Sequence, residues 1–452
     1  MSGGLITGRT AGRGTTGAVT PLRPWTTYLL PGIGVRERRL AVPLDRSGRL
    51  EGEVELLVRE LVDPVRDGDD LPLLVYLQGG PGGANPRPLR RDGWLDVALR
   101  DYRVVLVDQR GTGGSTPLDG EVLAGLDARA GADLLACFRA DSIVADLEEV
   151  RARVYGGRPW TTLAQSFGGW ITLTYLSFAP EALRACYIAG GVPGTPPDAA
   201  EVYRRTFGRV AGKTAEYYRR YPADVEAVSA IADRLAAGDV LLPDGDVLTV
   251  RRFQSMGIDL GMKPGPERMH WFVEKAFARP GRLSAGFLQE AMVRTAQADG
   301  PLFWTLQESI YGHGAGRPTG WAAQAARDRR PEFDPDRRPL LFTGEMAFPW
   351  MFDEIRLLRP FAPAVHELAA RTQWSPLYDL DRLAANDVPV AAVVYHDDMF
   401  VDSGLQLDTL SRVGSAQAWV TNEYEHDGIG DPRVLERLRE LVRDRGGEKR
   451  IR

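Results

Sequence analysis

Short apolar runs alternate with longer amphipathic stretches along most of this chain. RERRLAVPLD (36–45) and EVELLVRELVD (53–63) alternate partially between apolar and polar positions, which predicts an antiparallel pair at the edge of a sheet. Six later runs are apolar almost throughout: PLLVYLQ (72–78), YRVVLVD (102–108), TTLAQ (161–165), RACYIAG (184–190), VPVAAVVY (388–395) and AQAWVTN (416–422). That is the pattern of parallel strands covered on both faces. Helical spacing separates several of them. In DSIVADLEEVRARV (141–154), Ile143, Val144, Leu147, Val150 and Val154 share one face, and Asp141 is placed to cap the first turn. Near the end, Asp431 and Pro432 open a helix with Leu435, Leu438, Leu441 and Val442 on one side, and Gly446 is placed to close it. The alternation predicts an α/β fold with a doubly wound, mostly parallel sheet. No internal repeat interrupts it.

The rhythm lapses between 191 and 387, where helix-like stretches such as AEVYRRTFGRVAGKTAEYYRRY and WAAQAARDRR are punctuated by Pro/Gly clusters. An insertion of that length between two strands predicts a mainly helical cap domain over the C-terminal ends of the strands, where open α/β sheets bind ligands. The expected organisation is a flexible tail at 1–25, Gly/Thr-rich for most of its length, a core formed by 26–190 and 388–452, and the cap at 191–387. Composition narrows the partners. With 44% hydrophobic residues in 452 the chain can bury a large core, and a net charge of -5 with both signs interspersed gives no footprint for nucleic acid. No apolar stretch approaches a membrane span and the N-terminus lacks a signal-like apolar region, so a cytoplasmic location without membrane partners is expected. Cys137 and Cys186 lie in apolar surroundings and are expected to be buried thiols, not metal ligands or a disulfide.

Candidate chemistry gathers at the ends of the predicted strands. LAQSFGG (163–169) puts Ser166 between a strand and a helix, with small Ala164 and Gly168 two positions to either side, as a tight nucleophile-bearing turn requires. QGGPGG (78–83) follows an earlier strand and supplies unhindered N–H groups for an oxyanion. Gly80 is preferred over Gly79 as one donor, and Phe167, just after the serine, supplies the other. VDQRGTGGS (107–115) follows the next strand, and its Asp108 and Arg110 are expected to form an ion pair that fixes these loops.

In that order and spacing, QGGPGG, DQRGTGGS and AQSFGG resemble the HGGPG, DQRGxGxS and GQSxGG motifs of the prolyl aminopeptidases, or proline iminopeptidases, of the α/β-hydrolase superfamily. The resemblance runs from about residue 35 to 445 and includes GEMAFPWMFDE (344–354), similar to a segment of the large-capped members. Gln78 replaces the family's histidine, and Ala164 its glycine. The resemblance implies an α/β-hydrolase fold and a serine aminopeptidase that takes peptides with a free N-terminal proline.

Chain order in this fold places the acid and then the base late. Of five histidines, His270 and His313 fall in the expected cap, His366 precedes the late strands and His396 ends a strand, which leaves His426 in NEYEHDG. YHDDMFVD (395–402) offers three acids. Asp398 is preferred because it resembles the family's acid, Asp397 is its rival, and Asp402 is expected to start a helix. Such a triad needs neither metal nor organic cofactor. The family's acidic cap residues bind the substrate amine, and Glu308 in FWTLQESIYG and Glu345 in FTGEMAFPWMF match that arrangement, while Phe348, Trp350 and Phe352 are candidate walls for a proline pocket or simply core. The same triad would also serve an esterase, an amidase or another aminopeptidase, and the scaffold could serve an idle binding protein; oligomeric state is left open.

Overall fold

The computed structural model describes residues 22–447. Most of the predicted tail therefore lies outside the described residues, and Leu22–Trp25 run without regular structure into the first strand. Nine strands form one sheet: β1 (Thr26–Leu30), β2 (Ile33–Pro43), β3 (Glu53–Val62), β4 (Leu73–Leu77), β5 (Arg103–Val107), β6 (Trp160–Gln165), β7 (Leu183–Ala189), β8 (Val390–Tyr395) and β9 (Ala416–Thr421), in the spatial order β1-β2-β3-β5-β4-β6-β7-β8-β9. The first three strands are antiparallel and β3 meets β5 antiparallel, whereas β5 through β9 are all parallel. Each of the six parallel strands sits where an apolar run predicted it. β1 was not predicted, because its TTYLL sequence has no buried face: four of its five residues are exposed at the sheet edge.

Helices cover both faces. Alongside the sheet lie α1 (Ala140–Tyr155), α2 (Gly168–Phe178) and, after the late strands, α6 (Pro432–Asp444); the long insertion contributes α3 (Ala199–Arg220), α4 (Leu302–Leu306) and α5 (Ala322–Arg327), among others. α6 packs Val434, Leu435, Leu438 and Val442 onto one face of the sheet, and the Asp431 carboxylate caps its first turn through the Arg433 N–H at 2.9 Å. α1 and α2 pack on the other face. Asp141 is not the cap of α1. Arg139 occupies that position, and Asp141 sits in the first turn, accepting from Ser375 Oγ at 2.5 Å. An acid there still favours the helix through its dipole.

Between β7 and β8 helices joined by loops predominate, with one small hairpin pairing Phe277–Arg279 with Arg282–Leu283. Its buried side chains, Tyr203, Phe253 and Phe342 among them, merge into the same apolar cluster as α1, α2 and one face of the sheet. Such continuity seats the insertion by hydrophobic burial and not by a hinge-like linker. Both cysteines are buried and unpaired. No helix of the described residues is long and apolar enough to cross a membrane.

Candidate active site

The chain runs from β4 outward to β5 and then returns to β6 on the opposite side of β4. The C-terminal ends of β4 and β6 thus flank the point where strand order reverses, the place where open α/β sheets leave a crevice. QGGPGG leaves β4 and the Ser166 turn leaves β6, so both motifs open into that crevice. Ser166 adopts φ 54°, a left-handed conformation costly for a non-glycine residue. Its neighbours hold it there. The Ser166 N–H donates to the Ala189 carbonyl at 3.1 Å, and the Ser166 carbonyl accepts from Gly169 at 2.8 Å. The turn tolerates no bulk: a Cβ on Gly168 would stand 2.1 Å from the Leu77 carbonyl oxygen, and one on Gly191 2.1 Å from that of Ser166. Ala164 departs from the family's glycine without cost, since its methyl is fully buried between its register partners Leu77 and Ile188.

Phe167 precedes the first turn of α2, so its N–H has no helical acceptor. Among the described residues neither this N–H nor that of Gly80 donates to a carbonyl. The glycine loop lies directly on the serine turn, for a Cβ on Gly79 would stand 2.9 Å from Ser166 Cβ. Gln78, in place of the family's histidine, joins the neighbouring motif by its carbonyl, which accepts from Gln109 Nε2 at 3.0 Å. The expected Asp108–Arg110 pair does not form. Asp108 accepts from Arg87 Nη1 at 3.0 Å and from the Gly114 N–H at 2.8 Å, whereas Arg110 forms a bidentate pair with Asp146, both bonds 2.7 Å. Two pairs, not one, brace the loops, and only the Arg110–Asp146 pair is fully buried.

Asp398 and His426 meet. His426 Nδ1 donates to Asp398 Oδ2 at 2.8 Å, with the two side chains 8% and 0% exposed. The other oxygen, Oδ1, accepts from the N–H groups of Phe400 (2.8 Å) and Val401 (3.1 Å). Burial pulls the imidazole toward its neutral form, but the Asp398 charge and hydrogen bond outweigh it, and the net shift is upward from the ordinary histidine value. The Gly190–Gly191 step links this dyad to the serine: a Cβ on Gly190 would lie 3.4 Å from Asp398 Oδ2, while Gly191 backs onto Ser166. Asp397 points elsewhere, 52% exposed and bonded to His396 at 2.8 Å, and Asp402 caps the helix Ser403–Leu410 as expected. Of the remaining histidines, His270 binds Asp224 at 2.9 Å, His313 Nδ1 accepts from the Leu377 N–H at 2.9 Å, and His366 packs edge-on against Trp321.

The two glutamates of the insertion come to the same place by different routes. Glu308, just beyond α4, is 7% exposed and both its oxygens accept backbone N–H bonds at the start of α5, from Ala322 (3.0 Å) and Ala323 (2.9 Å). Burial nevertheless pushes its carboxyl up to about 7. Glu345 keeps some accessible surface, yet its carboxyl is desolvated and is also pushed up to about 7, first by burial and then by the Asp398 charge, against the opposite pull of His426. Tyr203 and Tyr311 sense both carboxyls. Their rings pack edge to face at 6.3 Å, and Trp170 of α2 packs on Tyr311 at the same distance. An aromatic wall thus joins the serine turn to two acids. Phe348, Trp350 and Phe352 are buried in the insertion core, with Arg251 and Arg327 stacked over Trp350 and Phe348, and they behave as core. Tyr203, Tyr311 and Trp170 were not singled out from sequence; among so many apolar positions nothing marks an aromatic that packs beside the acids.

The family described as alpha/beta hydrolase fold matches residues 72–233, from β4 into the insertion. A proline iminopeptidase of Aeromonas sobria is 42% identical over 92% of this chain and 98% of its own length, and the proline iminopeptidase aneH of Aspergillus aculeatus is 35% identical over 87% and 90%. Identity at that level along nearly the full length of both proteins extends past the shared core into the insertion. The chain is therefore a member of the proline iminopeptidase family, on the α/β-hydrolase fold.

Proposed function

We propose that this protein is a serine aminopeptidase that hydrolyses the bond after an N-terminal proline of peptides. Ser166 is the nucleophile, His426 the base that takes its proton, and Asp398 the carboxylate that holds the imidazole. The N–H groups of Phe167 and Gly80 receive the oxyanion, and the insertion over 191–387 acts as the cap. The observation that carries the reading is the His426–Asp398 hydrogen bond set against the strained Ser166 turn, with the Glu345 carboxyl of the insertion interacting with both members of the pair. An acid about one residue from the reacting carbonyl suits a substrate with a free N-terminal ammonium, and the two long relatives named as proline iminopeptidases support proline as that residue.

The chemistry follows in two halves. Neutral His426 accepts the Ser166 proton through Nε2 as the hydroxyl attacks the prolyl carbonyl, and the imidazolium then protonates the leaving amine. Water, activated by the same imidazole, hydrolyses the acyl-enzyme. Glu345 receives the prolyl ammonium directly. Glu308, its oxygens already engaged, adds negative potential and fixes the turn beside it. Prolyl arylamides test the proposal. The free-amine compound should be cleaved and its N-blocked counterpart should not; cleavage of both at similar rates would defeat the reading.

Glu345→Gln should raise KM for the free prolyl arylamide by roughly ten- to a hundredfold, since a charge-assisted hydrogen bond is worth about 1.5–3 kcal/mol. Turnover of a neutral ester on its high-pH plateau should change less than about twofold, and an equal loss on both substrates there would remove the ammonium role. The pH dependence has a defined sign. Chemistry requires neutral His426, whose pKa is raised, so kcat on a neutral ester should climb with pH to a midpoint above the ordinary histidine value. Free-amine substrates also need ionised Glu345, so their KM should fall as pH rises through about 7. Because the Glu345 charge helps raise His426, Glu345→Gln should move the ester midpoint to lower pH, measured by rate profiles from pH 5 to 9.

A further inference from the structure

The loop that carries His426 belongs to the core by sequence, yet the insertion holds it. Three consecutive residues are tied to three separate points. Glu425 Oε1 accepts from Lys213 Nζ of α3 at 2.5 Å; the His426 N–H donates to the Gly261 carbonyl at 3.1 Å; and the Asp427 carboxylate accepts the Lys263 N–H at 3.0 and 3.2 Å. Lys263 Nζ reaches the Glu423 carbonyl as well. The acid loop is pressed by the same turn, because a Cβ on Gly261 would stand 2.4 Å from atoms of the Phe400 ring. That ring in turn packs edge-on against the His426 imidazole at 4.7 Å between centroids.

The Lys213–Glu425 pair is the costly member of this set. Lys213 is 8% exposed, and the second oxygen of Glu425 is buried without a hydrogen-bond partner among the described residues. Two apolar side chains would fill the space at no greater free energy, since removing two ions from water consumes most of their mutual attraction. An apolar pair, however, has no directional hold on the backbone beside it. A short charged bond fixes Glu425, and through it the neighbouring imidazole, to a point on α3.

We propose that Lys213 is a positioning residue for His426: by anchoring Glu425 it holds the imidazole on Asp398 and toward Ser166 only while the insertion is seated on the core. The inference rests on His426 being the base. Misplacing a reacting group by about 1 Å costs up to roughly a hundredfold in rate, so Lys213→Met should lower kcat by about ten- to a hundredfold on both the free prolyl arylamide and the neutral ester, with KM within about twofold. Lys213→Arg, which keeps the charged tie, should stay near wild type.

The double variant Lys213→Met with Glu425→Gln separates position from stability. It leaves no lone buried charge, so its melting temperature should recover toward wild type while kcat remains low. Recovery of kcat together with the melting temperature would overturn the proposal, as would a rise in KM alone. His426→Gln keeps the two readings apart. If it is inactive while Lys213→Met turns over like wild type, the positioning role falls and the triad stands; if His426→Gln is active, the triad itself is wrong.

Discussion

Ser166→Ala is expected to lower kcat on a prolyl arylamide by roughly five to six orders of magnitude, with little change in binding or fold. The hydroxyl is the only group at that turn able to form the acyl-enzyme, and the residual rate would come from the oxyanion donors and substrate orientation alone. Stability should survive because the strain is in the backbone. Alanine at φ 54° costs about what serine does, and the Ala189 and Gly169 hydrogen bonds that hold the turn are made by backbone atoms. Thermal melting, burst titration with a fluorophosphonate, and equilibrium binding of an uncleaved prolyl peptide check the three parts. Activity within a hundredfold of wild type would remove Ser166 from the nucleophile's role.

Asp398→Asn should cost about four orders of magnitude in kcat, and its geometry says why so small a change is so damaging. The Phe400 and Val401 N–H groups both need an oxygen, so the asparagine carbonyl must face them. Its NH2 is then turned toward His426 Nδ1 and donates where the carboxylate accepted. The imidazole is driven into the tautomer with its proton on Nε2, which cannot take the serine proton. Asp397→Asn is the matched control. That residue is half exposed and bonded to His396, so its rate should stay within about twofold of wild type. If the two variants were equally impaired, the assignment of the acid would be wrong.

Sequence carried the core well because parallel strands must be apolar on both faces, and nothing else in the chain reads that way over so short a span. The antiparallel strand Thr26–Leu30 escaped notice because an exposed edge strand has no burial to record. Asp398 was preferable to Asp397 by likeness alone; what separates them physically is the turn after β8, which buries Asp398 against His426 and leaves Asp397 exposed beside His396. The expected Asp108–Arg110 pair fails because both residues lie in the loop beyond β5, not in the strand, and there their side chains diverge toward Arg87 and Asp146 respectively. Glu308 and Glu345 were legible as acids among apolar residues. That one would be engaged by the helix start at Ala322 and the other left to answer His426 depends on contacts between segments far apart in the chain. A pair such as Lys213 and Glu425 leaves no local signal at all.

The insertion divides the catalytic residues in an unequal way: the strained serine turn is complete by the end of β7, whereas Asp398 and His426 come only after β8 and β9. A nascent chain therefore carries an elbow serine for more than half its length with no base to ionise it. Contacts so distant in sequence form late in folding, and the proposed base arrives with the last of them. On the proposed triad, a chain cut before the last strand would keep the nucleophile turn whole and have no base beside it.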